Sequence, residues 1–302
     1  MNESAGNRQQ LVGPGAEIAA NWLTLVAKGE LIDDHGNMNN WVHNLPITWM
    51  ALVIFGVTYL VAATTYAVVA MLAVGERARS FKAISPAMLP PLCIIFGLFV
   101  AFTAAQVWGD IEQANAAVNR EASALRSVVI FAASFPGEPE TRVRALVRDY
   151  VETAATQEWQ TMAQQTATLR ITPRSLAEAL QLILAITPGS QGQQIAQREI
   201  ASALENTLDA RRQRIIISRS QVNWVKWSCL FVQAVCALLA IALVHSGERL
   251  ASAIALGVFA SGVAACVLLI ASHDQPFIGQ MSIGPDPLLQ VIPDVGAAVR
   301  DD

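Results

Sequence analysis

The stretch AISPAMLPPLCIIFGLFVAFTAAQVW, residues 83–108, followed without a break by GDIEQANAAVNREASALRSVV, residues 109–129, decides the fold. Its first part carries no charge and exceeds the ~20 residues an α-helix needs to cross a hydrocarbon core. Its second part keeps Ile111, Ala114, Val118, Ala122, Leu125 and Val129 three or four positions apart among polar residues, the pattern of a helix with one buried face. One helix is therefore expected to leave the membrane and run on to about Phe135. At 1.5 Å per residue it would span some 50 residues and project roughly 35 to 40 Å beyond the bilayer.

Three more apolar runs flank it, Ile47 to Val74 on one side and Ser228 to Val244 and Leu250 to Ser272 on the other. The run from Ser228 is short, but Trp224 and Trp227 extend it into an interfacial anchor. In lipid every backbone N–H and C=O must find its partner inside the segment, so the four runs read as spanning helices. The expected fold is an all-α membrane protein with four transmembrane helices, two plus two, and a helical cytoplasmic region between the pairs. Its parts are a polar and interfacial segment 1–46, helices 1 and 2 over 47–108, a helical region 109–223, helices 3 and 4 over 224–272, and a tail 273–302.

Composition narrows the function classes. Of 302 residues 53% are apolar and 15% charged, with a net charge of −4, below the ~25% charge of an ordinary soluble domain. No basic surface for nucleic acid follows from such a balance, and nucleic acid is excluded as a partner. Cys93, Cys229, Cys236 and Cys266 all fall in apolar runs, where a thiol behaves as a small hydrophobe. No CxxC or Cys/His spacing marks a metal site, and no cofactor is implied. About 46 mostly polar residues precede the first run; they lack a signal-peptide core, so the first span is expected to be retained. Within them Ile18, Trp22, Leu25 and Val26 have helical spacing, fitting either an interfacial or a packing helix, and residues 33–37 read as a turn.

Between the two pairs the region is read as helical throughout. Pro136-Gly137-Glu138-Pro139 ends the long helix. A second helix is expected from Glu140 to about Thr168, burying Val143, Leu146, Val147, Tyr150, Val151 and Ala154. A third begins with Thr172 as N-cap and Pro173 at the first helical position and closes at Thr187-Pro188-Gly189-Ser190. A fourth runs from about Gln193 through Arg211, Arg212 and Arg214. For orientation, Arg211, Arg212, Arg214, Arg219 and Lys226 favour a cytoplasmic polar region and termini, against Arg77, Arg79 and Lys82 in the short first loop.

Enzyme chemistry has no footing: no phosphate-binding loop, zinc-protease or nucleophile-elbow motif is present. The histidines, His35, His43, His245 and His273, are scattered and read as solvated or capped. Glu158 beside Trp159 reads more readily as a surface acid than as a buried one. Arg120, Glu121 and Arg126 on the long helix, with Arg142, Arg144 and Arg148 on the next, would either ring a vestibule in an oligomer or form ordinary i,i+4 pairs with Glu112, Glu140 and Glu152, the more economical reading. Pro90, Ile94 and Leu98 share one face of the second span. That face meets lipid in a lone chain, or forms stacked apolar rings in a symmetric oligomer.

The run from Gly97 through Trp108 and Glu112 to Asn119-Arg120-Glu121-Ala122-Ser123-Ala124-Leu125-Arg126 resembles the bestrophin-like family of bacterial membrane proteins, distant relatives of the bestrophin channels. Tyr150 with Glu158-Trp159, the arginines Arg211 and Arg214 before Ser218, and Asp274-Gln275-Pro276-Phe277-Ile278-Gly279 resemble further elements of it in the right order. The resemblance implies a pentamer in the lipid bilayer of the cell membrane, with cytoplasmic termini and a central pore for small inorganic ions. It implies a neck at Pro90, Ile94 and Leu98, a vestibule carrying Arg120, Glu121 and Arg126, and structural roles for Trp108, Glu112, Tyr150, Trp159, Arg211, Arg214, Pro276 and Phe277. Anions are slightly favoured by the vestibule arginines. Gln280, Met281, Ser282 and Ile283 stand where animal bestrophins carry an acidic calcium-binding run, so no calcium gating is expected. The alternative function is a non-conducting membrane scaffold that recruits a partner through its cytoplasmic helices.

Overall fold

In the computed structural model, residues 46–73, 85–279 and 281–292 are described, all helical or in short connections with no strand among them. The interfacial helix expected near Trp22, the turn at 33–37, His35, His43, the loop with Arg77, Arg79 and Lys82, Gln280 and the last ten residues lie outside them. Helix α1 (Ile47–Leu72) starts directly after Pro46, which cannot continue a helix backwards. Ser85 accepts from the Ala87 N–H at 3.3 Å and opens a 3₁₀ turn, Pro86–Met88. Helix α2 (Leu89–Ala132) follows. It tolerates Pro90 and Pro91 because first-turn N–H groups have no helical partner.

α2 is one helix of 44 residues, about 66 Å at 1.5 Å per residue, and it passes Trp108 without a break. It ends at Ala132, three residues before the expected Phe135, where Ala133 N–H turns back onto Ile130. Beyond Trp108 its buried face is Ala114, Ala117, Val118, Glu121, Ala122, Leu125 and Val128. Small alanines along that face let α6 (Gln191–Ile217) lie close against it.

Helix α3 (Glu138–Thr153) begins two residues before the expected Glu140, with two carboxylates in its first turn, where they complement the helix dipole. It does not run on as α-helix to Thr168. A π-turn over Ala154–Glu158 interrupts it, a short helix α4 (Trp159–Ala163) completes it, and Gln165 then takes φ 57°. Pro173, rather than Thr172, occupies the N-cap of α5 (Arg174–Ala185), without a side-chain cap bond. Ser190 caps α6 by accepting from Gln193 N–H at 3.2 Å.

The core of the polar body gathers Leu125, Val128, Val147, Tyr150, Ile183, Ile200 and Leu204 from α2, α3, α5 and α6. The apolar helices pack in two further clusters. Ala62 and Val69 of α1 meet Leu238 of α7 (Trp224–Val244) and Leu256 and Ala260 of α8 (Arg249–His273). Phe96 and Val107 of α2 meet Leu230, Ala234, Val263 and Ile270. Among the described residues four helices, α1, α2, α7 and α8, are long and apolar enough to cross a membrane. After α8 the chain returns along the polar body, and α9 (Asp286–Leu289) buries Leu288 in its core.

The corner between α2 and α3 rests on Gly137, at φ 98° and ψ −141°, a region that residues with a Cβ enter at a cost of about 1–3 kcal/mol. A methyl added there would touch nothing within 4 Å, so backbone strain alone decides the outcome. Gly137→Ala should therefore lower the detergent-solution melting midpoint, whereas Gly109→Ala inside α2, equally open and helical, should leave it unchanged or raise it.

Candidate functional site

Two places on α2 carry candidate functional residues, one on each side of Trp108. On the apolar half Pro90, Ile94 and Leu98 are exposed, Ile94 at 68% and Leu98 at 55%. Phe102, one turn further on, is exposed at 68% and continues the same stripe. The i+4 spacing from Leu98 is the signal in the sequence for Phe102, which the expected neck of Pro90, Ile94 and Leu98 leaves out. The opposite face, with Phe96, Thr103 and Val107, is buried against α7 and α8.

Eighteen residues are about five full turns at 3.6 residues each. Glu112 therefore shares the azimuth of Ile94, Ala116 that of Leu98 and Arg120 that of Phe102, and all three are exposed. Arg120 donates to Gln213 Oε1 at 2.5 Å and to the Ala116 carbonyl at 3.2 Å. Arg126 is exposed, but six residues place it about 120° round the helix from Arg120.

Glu121 points the other way. Expected beside the vestibule arginines, it is fully buried, because one residue of α-helix turns the chain by about 100° and sets it in the Ala114–Val118–Leu125 face. Its Oε2 accepts from Arg214 Nε at 2.7 Å; its Oε1 accepts from Arg214 Nη2 at 3.0 Å and from the Tyr150 hydroxyl at 2.5 Å. Arg214, itself at 0% exposure, also donates to Glu158 Oε2 at 3.0 Å and to Met162 Sδ at 3.2 Å. Arg211, one turn earlier on α6, donates through Nε to Glu158 Oε1 at 2.8 Å. Two carboxylates and two guanidiniums thus close a neutral network linking α2, α3, the π-turn and α6.

Glu158 is therefore not the free surface acid expected from sequence. Tyr150 and Glu158 are eight residues apart, about 80° out of register on a regular α-helix. The wider i→i+5 turn at 154–158 rotates more slowly and brings both toward α6. π-turns of this kind recur at functional sites. Trp159 follows, its ring 4.7 Å from the Arg214 guanidinium carbon and edge-on to Phe277 at 5.7 Å, its Nε1–H donating to the Ile283 carbonyl at 3.0 Å. Pro276 is buried beside Phe277, and its carbonyl accepts from Ile283 N–H at 2.8 Å.

Burial by itself lowers the proton affinity of the Arg214 guanidinium, but Glu121, Tyr150 and Glu158 outweigh it and raise it. The Tyr150 hydroxyl is pushed well above its ordinary range by burial and by the Glu121 charge, despite the opposing pull of Arg214. It therefore stays a protonated donor to Glu121. Trp108 and Glu112 stand outside the network: Trp108 is half exposed with its ring 6.0 Å from the His273 ring, and Glu112 is exposed. Arg144 pairs with Glu140 at 3.0 Å on the surface, an i,i+4 bridge of the expected kind worth tenths of a kcal/mol. His245 caps α7, its Nδ1 2.9 Å from the Ile241 carbonyl.

A family model described as the Bestrophin-like domain matches residues 46–288, most of the chain. The chain belongs to the Bestrophin-like family. The crystal structure of a point mutant of a bacterial Bestrophin homolog from Klebsiella pneumoniae is similar in fold. Its TM-score is 0.63 at 10% identity, over 81% of this chain and 98% of that one. No curated protein matches the chain significantly. The result is a Bestrophin-like multi-pass membrane protein whose described residues are all-helical and include four long apolar helices. The four sequence elements around Glu121, Tyr150 to Trp159, Arg211 to Arg214 and Pro276-Phe277 converge on the one buried network.

Deleting one partner of a buried ion pair leaves an uncompensated charge and costs about 3–5 kcal/mol. Arg214→Met and Glu121→Leu alone should each cost that much in denaturant unfolding. The pair made together should cost far less than the sum, because Arg211 and Glu158 still neutralise one another. Additive losses would contradict the network.

Proposed function

We propose that the chain is one subunit of a homo-oligomeric, pentameric ion channel of the cell membrane, crossing it two plus two, with both termini and residues 109–223 cytoplasmic. The observation that carries this reading is the exposed apolar stripe Pro90, Ile94, Leu98 and Phe102, on a helix whose opposite face is packed. It continues at the same azimuth into exposed Glu112 and Arg120. Around a symmetry axis such a stripe makes stacked apolar rings that resist wetting. The polar half then makes a charged mouth. Membership of the family supports the oligomeric channel reading.

In this assembly Ile94 and Leu98 are the neck and Arg120 and Arg126 the charged vestibule. Glu121 acts from behind the lining, by holding α2 to α6. The exposed arginines lean selectivity toward anions, while Glu112 on the stripe opposes them.

Narrow apolar rings impose a dewetting barrier that smaller side chains relax. Ile94→Ala with Leu98→Ala should raise ion flux severalfold in reconstituted liposomes, and native mass in nanodiscs should give five copies. Unchanged flux from a folded pentameric double variant would remove the neck assignment. A monomer or dimer without flux would favour the scaffold instead.

A further inference from the structure

Asp274, the residue that ends α8, is buried, as is its neighbour Gln275. Its Oδ1 accepts from the Val222 N–H at 2.7 Å, while its Oδ2 lies buried without a hydrogen-bond partner. Both polar atoms of the Gln275 amide are in the same position. Val222 belongs to the connection between α6 and α7. Two residues earlier in that connection, Ser220 donates to Asp110 Oδ2 of α2 at 2.9 Å. Two carboxylates, one from α2 and one from the end of α8, therefore hold a single short connection. It also supplies Val222 to the apolar cluster with Phe96, Val107, Leu230 and Ile270.

The neighbouring elements offer Asp274 little compensation. From α2 it faces the Asp110 carboxylate, and from α7 the Trp227 indole. Lys226 of α7 donates to Gln106, and Arg219 of the connection donates to the Ala167 carbonyl. On α8 itself the His273 ring is engaged with Ser272 and the Leu269 carbonyl. With Val222 N–H and the Trp227 indole as its only donors among the described residues, one oxygen left without a hydrogen bond and a second carboxylate nearby, this buried group is costlier charged than protonated.

We propose that Asp274 and Asp110 form a proton-sensitive joint that fastens the α6–α7 connection between α2 and the end of α8, tight when Asp274 is neutral and loosened when it is ionised. The proton resides on Oδ2, which becomes a donor, while Oδ1 keeps the Val222 bond; repulsion from Asp110 disappears with the charge. Burial, with the Asp110 charge, pushes the Asp274 carboxyl up to about 6 against the opposing pull of the Val222 N–H and Trp227. An unperturbed aspartate releases its proton near 3.8. Between those values the folded state holds more protons than the unfolded one, so stability falls as pH rises through that window and stays low above it. The joint lies where the apolar helices meet the polar body, and its state affects the rigidity of that junction whether or not the protein conducts.

The test is the melting midpoint of the full-length protein in detergent from about pH 3.5 to 8, which covers the window between the two values, for wild type and Asp274→Asn. Asparagine keeps the acceptor for Val222 and imitates the neutral acid. The two should melt together near pH 3.5, with the gap opening between about pH 4 and 6 and Asp274→Asn several degrees higher, by a constant amount, above that window. A gap that does not change with pH, or a variant less stable throughout, would overturn the proposal. If Asp274→Asn does not fold, Asp110→Asn serves, read by the infrared carboxyl band of the wild type that appears on acidification. Removing the Asp110 charge should move part of that band to lower pH. An unmoved band would equally count against the joint.

Discussion

The Glu121–Arg214 pair is the constraint on which the rest of this structure depends. Both side chains are at zero exposure, and each is tolerable there only in the presence of the other. The pair therefore sets the register between α2 and α6, and Glu158 and Arg211 extend that register to α3 and the π-turn. Because α2 is unbroken across Trp108, fixing the azimuth of its polar half fixes that of its apolar half. Glu121 facing α6 obliges Arg120, and with it Phe102, to face outward. A salt bridge in the polar body thus decides which side of an apolar helix is left exposed.

The last segment closes the arrangement. After α8 the chain doubles back, sets Phe277 against the edge of Trp159, lends the Ile283 carbonyl to the same indole and buries Leu288 among the polar-body helices. Trp159 in turn lies over Arg214. An apolar strap and a buried cation thereby share one aromatic ring, so the end of the fourth apolar helix is tied to the network that orients the second. The joint at Asp274 lies along this path. Coupling between the strap and the α6–α7 connection runs through contacts of hydrogen-bond length rather than through a flexible linker.

Much of the architecture is visible in hydropathy and spacing. The four apolar runs, the change from an all-round apolar helix to a striped one at Trp108, and the proline-glycine corner at 136–139 each follow from local rules that need no partner. The π-turn at 154–158 escapes such rules, because Ala154-Ala155-Thr156-Gln157-Glu158 has ordinary helical composition and only contacts with α6 select the wider turn. Charges are less legible than helix type. Arg120-Glu121 reads as two neighbours on a solvated face, yet one is exposed and the other buried. The signal was present in the spacing, since Glu121 falls seven residues after Ala114 and four before Leu125, inside the apolar stripe. What the stripe could not reveal was the partner: Arg214 is 93 residues away and looks like any other member of an arginine-rich run.

By itself the sequence determined the solvent of each segment, the helical class and the existence of a long helix shared by lipid and water. These depend on the period and polarity of neighbouring residues. Only the tertiary structure decided that Glu121, Glu158, Arg211 and Arg214 form one neutral buried network, that Phe102 extends the outward stripe, and that Asp110 and Asp274 meet on one connection. Charged side chains carry the same letters whether solvated or paired. Which of the two they are depends on what the fold brings within about 3 Å of them.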